Sequence, residues 1–131
     1  MKTMRNISEI NINGKALRVI LDAHSLWLMS GTGEGHADLS YADLSYADLS
    51  YVDLREADLC RANLREADLD YSCWPLSCKS NHVKVDARIA AQLAAHFCVL
   101  DCNDPAFIAA RSAILEFART SHRVADLRLL K

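Results

Sequence analysis

HADLSYADLSYADLSYVDLREADLCRANLREADLDYS, residues 36–72, places leucine at every fifth position seven times running: Leu39, Leu44, Leu49, Leu54, Leu59, Leu64 and Leu69. Each leucine follows Asp or Asn, and each of those follows Ala or Val. A period of five suits neither regular element. On a helix the leucines would precess by about 140° per repeat and circle the surface; on a flat strand they would alternate faces. A short fixed repeat points instead to a solenoid. With five residues per side and four sides, twenty residues make one coil. Every leucine and the small residue two before it then point inward.

That geometry accounts for the residue types. The inward small positions read Ala37, Ala42, Ala47, Val52, Ala57, Ala62, Ala67 and Ser72, as a narrow interior requires. The intervening Asp or Asn points outward, where its side chain can bond nearby backbone and support a tight turn. A separation of twenty stacks Leu39 on Leu59, Leu44 on Leu64, Leu49 on Leu69 and Leu54 on Trp74, with coils about 4.8 Å apart. Trp74-Pro75 reads as the end of the second coil, because continuing the period to LSCKS would turn Lys79 inward.

The motif A-(D/N)-L-X-X, as ADLSY, VDLRE, ADLCR, ANLRE and ADLDY, resembles the pentapeptide-repeat family. The resemblance implies a right-handed quadrilateral β-helix, here of about two coils. It also implies a tendency to dimerise through C-terminal segments, and in some members an acidic surface that mimics duplex DNA at topoisomerases. The expected class is mainly β with an α tail: an N-terminal β-hairpin cap over 1–35, the repeat over 36–80 and C-terminal helices over 81–131.

The flanks are read from local signals. Ile10 and Ile12 alternate with asparagines, and Asn13-Gly14 is a hairpin turn signal. Leu17, Val19 and Leu21 alternate with Arg18 and Ile20, predicting a second strand, and Leu26–Met29 a third. Gly31–Gly35, GTGEG, lacks the ending and following helix of a phosphate loop and reads as a junction. Asp86 caps a helix predicted over 87–101. Asp104-Pro105 opens another, with an N-cap followed by proline. A final turn is predicted over Val124–Leu130. Ile89, Leu93, Phe97, Ile108 and Leu115 supply apolar positions fit for homodimerisation.

Composition bounds the chemistry. The chain has 131 residues, half of them apolar, and a net charge of −2, which speaks against a direct nucleic-acid binder. No apolar run is long enough for a membrane span, and the first residues do not read as a signal peptide. The five cysteines form an odd count, which suits reduced thiols and a cytoplasmic protein. Their spacing, with His96 off the face shared by Cys98 and Cys102, does not suit zinc. No catalytic set, metal or cofactor is expected.

Charge is uneven: residues 36–75 hold nine acids and three bases, a balance of −6. Outward tyrosines at 41, 46, 51 and 71 add rigid area of the kind favoured in interfaces. The expected partner surface therefore comprises Tyr41, Tyr46, Tyr51, Tyr71, Asp38, Asp48, Asp58 and Asp68, with Tyr51 stacked on Tyr71. The expected partner is a protein, in the first reading a nucleic-acid enzyme blocked by a phage-type, anti-CRISPR-like inhibitor. The alternative is an adaptor that dimerises through its C-terminal helices. Two coils rise only about 10 Å, too little for a DNA-length mimic.

Overall fold

A computed structural model describes residues 3–32 and 35–128. The chain forms two compact units, Met1–Lys84 and Val85–Lys131.

In the first unit the repeats build a β-helix, held by parallel bridges between residues twenty apart: Asp38 with Asp58, Asp43 with Asn63, Asp48 with Asp68 and Asp53 with Cys73. Leu39, Leu44, Leu49 and Leu54 donate N–H bonds to the carbonyls of Asp58, Asn63, Asp68 and Cys73 at 2.8–2.9 Å. The leucines from Leu39 to Leu64 are fully buried, as are Ala47, Ala57, Ala62 and Ala67. Fully burying a leucine stabilises by about 1.5–3 kcal/mol, so these side chains form the core of the unit.

Between bridges the chain turns tightly. The carbonyl of each leucine accepts from the N–H three residues on, as Leu39 from Ala42 and Leu59 from Ala62. The third residue of each turn has positive φ: Tyr41, Tyr46, Tyr51, Glu56, Arg61, Glu66 and Tyr71, all between 60° and 66°. Glycine or asparagine is the usual choice there, yet none of the seven is either. The second residue is held by the Asp or Asn before the leucine. Asp38 Oδ1 accepts from Ser40 N–H at 3.1 Å and from the Ser40 hydroxyl at 2.6 Å. The same backbone bond recurs from Asp43 through Asp48, Asp53, Asp58 and Asn63 to Asp68. The expected role of the outward Asp in the turn is thus met, while the strained position lies three residues beyond it.

The expected end of the coil at Trp74-Pro75 is corrected. Leu59, Arg61 and Leu64 donate to the carbonyls of Lys79, Asn81 and Lys84 at 2.8–3.0 Å, and Lys84 N–H returns to Ala62. The bridge from Asn63 to Lys84 spans twenty-one residues rather than twenty. One extra residue therefore sits between Cys73 and Lys79, where Leu76 is 98% exposed and a 3₁₀ turn covers Cys78–Ser80. The insertion moves Lys79 from the inward register to the outward one and gives the inward position to Val83. His82, with φ 58°, takes the left-handed position below Arg61.

The segment before the repeat is a hairpin followed by a helix. β1 (Asn11–Ile12) pairs antiparallel with β2 (Lys15–Ala16) across Asn13-Gly14, both with positive φ, as a two-residue hairpin turn requires. The strands expected over Leu17–Leu21 and Leu26–Met29 are instead one helix, α1 (Leu17–Ser30). Its buried residues Leu17, Leu21 and His24 fall at i, i+4 and i+7, and Gly31 ends it in the left-handed conformation. Helical spacing over fourteen residues overrides a short alternation. Of the predicted junction, Gly33 and Glu34 lie outside the described residues.

The second unit pairs α2 (Ala87–Cys98) with α3 (Pro105–Ala118). Asp86 caps α2 through the Ile89 N–H, and Asp104 caps α3 through Ala106 and Phe107. α2 stops at Cys98, three residues short of the predicted end. A small core of Ala95, Cys98 and Ala118 is flanked by Phe97, Ile114, Leu115, Val124 and Leu127. The predicted final turn is seen over 122–128, and its last two residues lie outside the described ones.

Candidate partner-binding surface

The left-handed turn residues are also the ones that project outward. Tyr51 and Tyr71 stack with ring centroids 4.9 Å apart and planes 17° from parallel, while remaining 76% and 60% exposed. This is the stack expected from a separation of twenty, and it stands on the bridge between Asp53 and Cys73 and the bond from Tyr51 N–H to the Asp70 carbonyl. Tyr41 is exposed as well. Tyr46 is half-buried, and its carbonyl accepts from the Arg5 N–H at 2.7 Å. Of the four tyrosines, Tyr51 and Tyr71 are brought together as a ring stack.

The four named aspartates fall into two stacks, Asp38 with Asp58 and Asp48 with Asp68. Beside Tyr51 lies an open groove of about 400 Å³, lined among others by Asp22, Arg18, Asp48, Tyr51 and Asp53. Asp53 is clamped by Arg55, Nη2 to Oδ2 at 2.7 Å and Nε to Oδ1 at 3.0 Å. That ion pair holds the Asp53 carboxyl below the usual carboxylate range. The Ser40 hydroxyl, and then the Ser40 N–H, do the same for Asp38. These two carboxylates therefore stay ionised to lower pH than an ordinary carboxylate.

Two residues absent from the sequence-level expectation hold the N-terminal segment on the repeat. Arg5 adds a parallel bridge to Ala47, and its guanidinium donates to the carbonyls of Ser45 and Asp43, both at 2.9 Å. His24 is 1% exposed; its Nδ1 accepts from Ala37 N–H at 2.9 Å and its Nε2 faces the Arg55 carbonyl at 2.8 Å. Since Nδ1 accepts, Nε2 carries the proton and donates. The Asp43 and Ser45 carbonyls lie one coil before those of Asn63 and Arg65, and Arg55 holds the same place in its five-residue repeat as Cys60; the Asn63, Arg65 and Cys60 oxygens all accept from the preceding coil. In the first coil no such partner precedes them, and two side chains supply the missing donors. The signal for His24 was present in its helical spacing from Leu17 and Leu21.

In the second unit the residues expected at a dimer contact are placed differently from one another. Ile89 is buried, Phe97 rests 4.9 Å from Phe107, and Leu115 packs on the small core. Leu93 and Ile108 are exposed, with Leu100 and Phe117 also open to solvent. All five cysteines are free thiols. Among the described residues no group of three or more His, Cys, Asp or Glu side chains could hold a metal ion, and no helix is long and apolar enough to cross a membrane.

The family model for pentapeptide repeats matches residues 37–72, in eight copies. Residues 37–72 are accordingly a pentapeptide-repeat segment. No curated protein and no solved structure matches the chain.

Proposed function

We propose that this protein is a non-enzymatic binding module whose partner is another protein, met by the acidic, tyrosine-bearing surface of the repeat. The exposed Tyr51–Tyr71 stack carries the proposal. Two large rings held in register by the backbone present rigid area at low entropic cost, which is what interface anchors do. The β-helix behind it is read as four-sided and right-handed, a little over two coils long. The twenty-residue separation of its bridges supports four sides, and the family resemblance supports the hand.

Within that class we favour an inhibitor of a nucleic-acid enzyme, of the phage-borne, anti-CRISPR-like kind, acting in the cytoplasm. The support is the negative sign of residues 36–75, nine acids to three bases, on a body too short to imitate a length of duplex. Such a surface would block a basic site locally. The test is capture from host lysate with mass spectrometry, comparing the native chain with Tyr51→Ala/Tyr71→Ala and with a triple reversal of Asp38, Asp48 and Asp58 to Lys. Loss of one nucleic-acid enzyme from both variants supports the reading. Equal capture by all three overturns it.

The second reading is an adaptor that homodimerises through its C-terminal helices. The exposure of Leu93 and Ile108 favours it. Light scattering at micromolar concentration decides: a dimer mass that falls to monomer in Leu93→Glu/Ile108→Glu supports it, and a monomer mass for the native chain removes it.

A further inference from the structure

His24 is a buried titratable group that the binding surface does not use. Both ring nitrogens are engaged with the first coil: Nδ1 takes the Ala37 N–H and Nε2–H gives to the Arg55 carbonyl. These two hydrogen bonds join α1 to the repeat. A second proton on the ring would sit on Nδ1 and point at the Ala37 N–H, setting donor against donor in a buried site. The bond cannot survive that in its present geometry. We propose that His24 is a proton-operated latch: neutral, it fastens α1 to the first coil, and protonated, it lets α1 go while the leucine-filled coil stays assembled.

The surroundings do not rescue the charged ring. From the repeat, the Arg55 carbonyl that accepts from Nε2–H favours the cation most, followed by Asp53 and Glu56, but Asp53 is already clamped by Arg55. From the segment joining α1 to the repeat, His36 opposes it. On α1 itself Trp27 lies stacked against His24 at 6.1 Å and meets His36 edge-on at 5.8 Å. Burial outweighs these charges and depresses the His24 pKa below its ordinary value of 6.5. A group whose folded pKa is depressed contributes stability that is present above 6.5 and lost as pH falls from there toward the folded value. The coil's own ladder is made of backbone bonds and leucines, none of which titrates. Release uncovers the Ala37 N–H and the Arg55 carbonyl, backbone groups at the first-coil edge that a strand from another chain could pair.

The test is pH-dependent amide hydrogen exchange, corrected for intrinsic rates, together with a ¹⁵N titration of the imidazoles. The expected result is an Nε2–H tautomer for His24 at pH 7.5. Below pH 6.5 the protection of α1 amides and of Ala37 should fall about tenfold per pH unit, the slope of one linked proton. The amides of Leu44, Leu49 and Leu64 should keep theirs. His24→Gln should abolish that slope whatever its starting protection, and His36→Gln should retain it. The latch is refuted if α1 and the coil lose protection in parallel in the native chain, or if His24 takes up its proton with the Ala37 amide still protected. Both refuting results are read on the native chain, so they stand even where a variant does not fold.

Discussion

The repeat and the C-terminal helices spend similar numbers of residues on opposite strategies. In the repeat nearly every leucine is sealed and each turn repeats the same two hydrogen bonds, so one residue's environment is its neighbour's. In the helical unit α3 buries only Ala118, and Ile108 and Phe117 stay open to solvent. A solenoid couples each coil to the next through a continuous core and ladder. A pair of helices of twelve and fourteen residues has only its contact face and its caps.

The comparison can be broken first at the leucines. Leu54→Ala should cost about 2–5 kcal/mol in a chemical denaturation, because the coil interior cannot collapse around the cavity without breaking the ladder. A cost below 1 kcal/mol would mean that the core is not the source of the repeat's order. Next come the left-handed turns. Arg61→Val should destabilise by about 1–3 kcal/mol, since a β-branched side chain is poorly tolerated at positive φ. Arg61→Gly should fall within about 1 kcal/mol of the native chain, relief of strain offsetting the added freedom of the unfolded chain. In the helical unit, Asp104→Ala should cost about 1 kcal/mol, read as lost helicity and a lowered melting point, because two N–H groups lose their acceptor. Acid gives the smallest effect. Asp38 and Asp53 have depressed carboxyl pKa values, so their contribution is present above the ordinary carboxylate range and lost as pH falls through the folded value. Both lie near the surface, and the melting point should drop only slightly between pH 5 and pH 3. Asp53→Asn should remove part of that drop.

Legibility in the sequence followed the same divide. The period of five carried the β-helix, the inward leucines and the tyrosine stack, because in a repeat one correct residue assignment fixes all the others. Asp104-Pro105 carried the start of α3, since a cap and a proline act locally. The single-residue insertion after Cys73 was not legible: a bulge is visible only when the partner coil is placed beside it. α1 was missed because five residues of alternation were weighed against a helical spacing that needed fourteen to show. The strained turn position was missed for a different reason. Residue type gave no warning, since tyrosine, glutamate and arginine carry none of the usual preference for positive φ, and the strain is imposed by the ladder on either side.

That last feature separates two demands that most surfaces must satisfy together. At the seven outward turn positions the backbone conformation is dictated from elsewhere, and tyrosine, glutamate and arginine are all accepted there. A change from one unbranched side chain to another therefore rewrites what the surface offers a partner while leaving the architecture beneath it undisturbed. The repeat works as a frame with interchangeable lettering, on which a new specificity is reachable one substitution at a time.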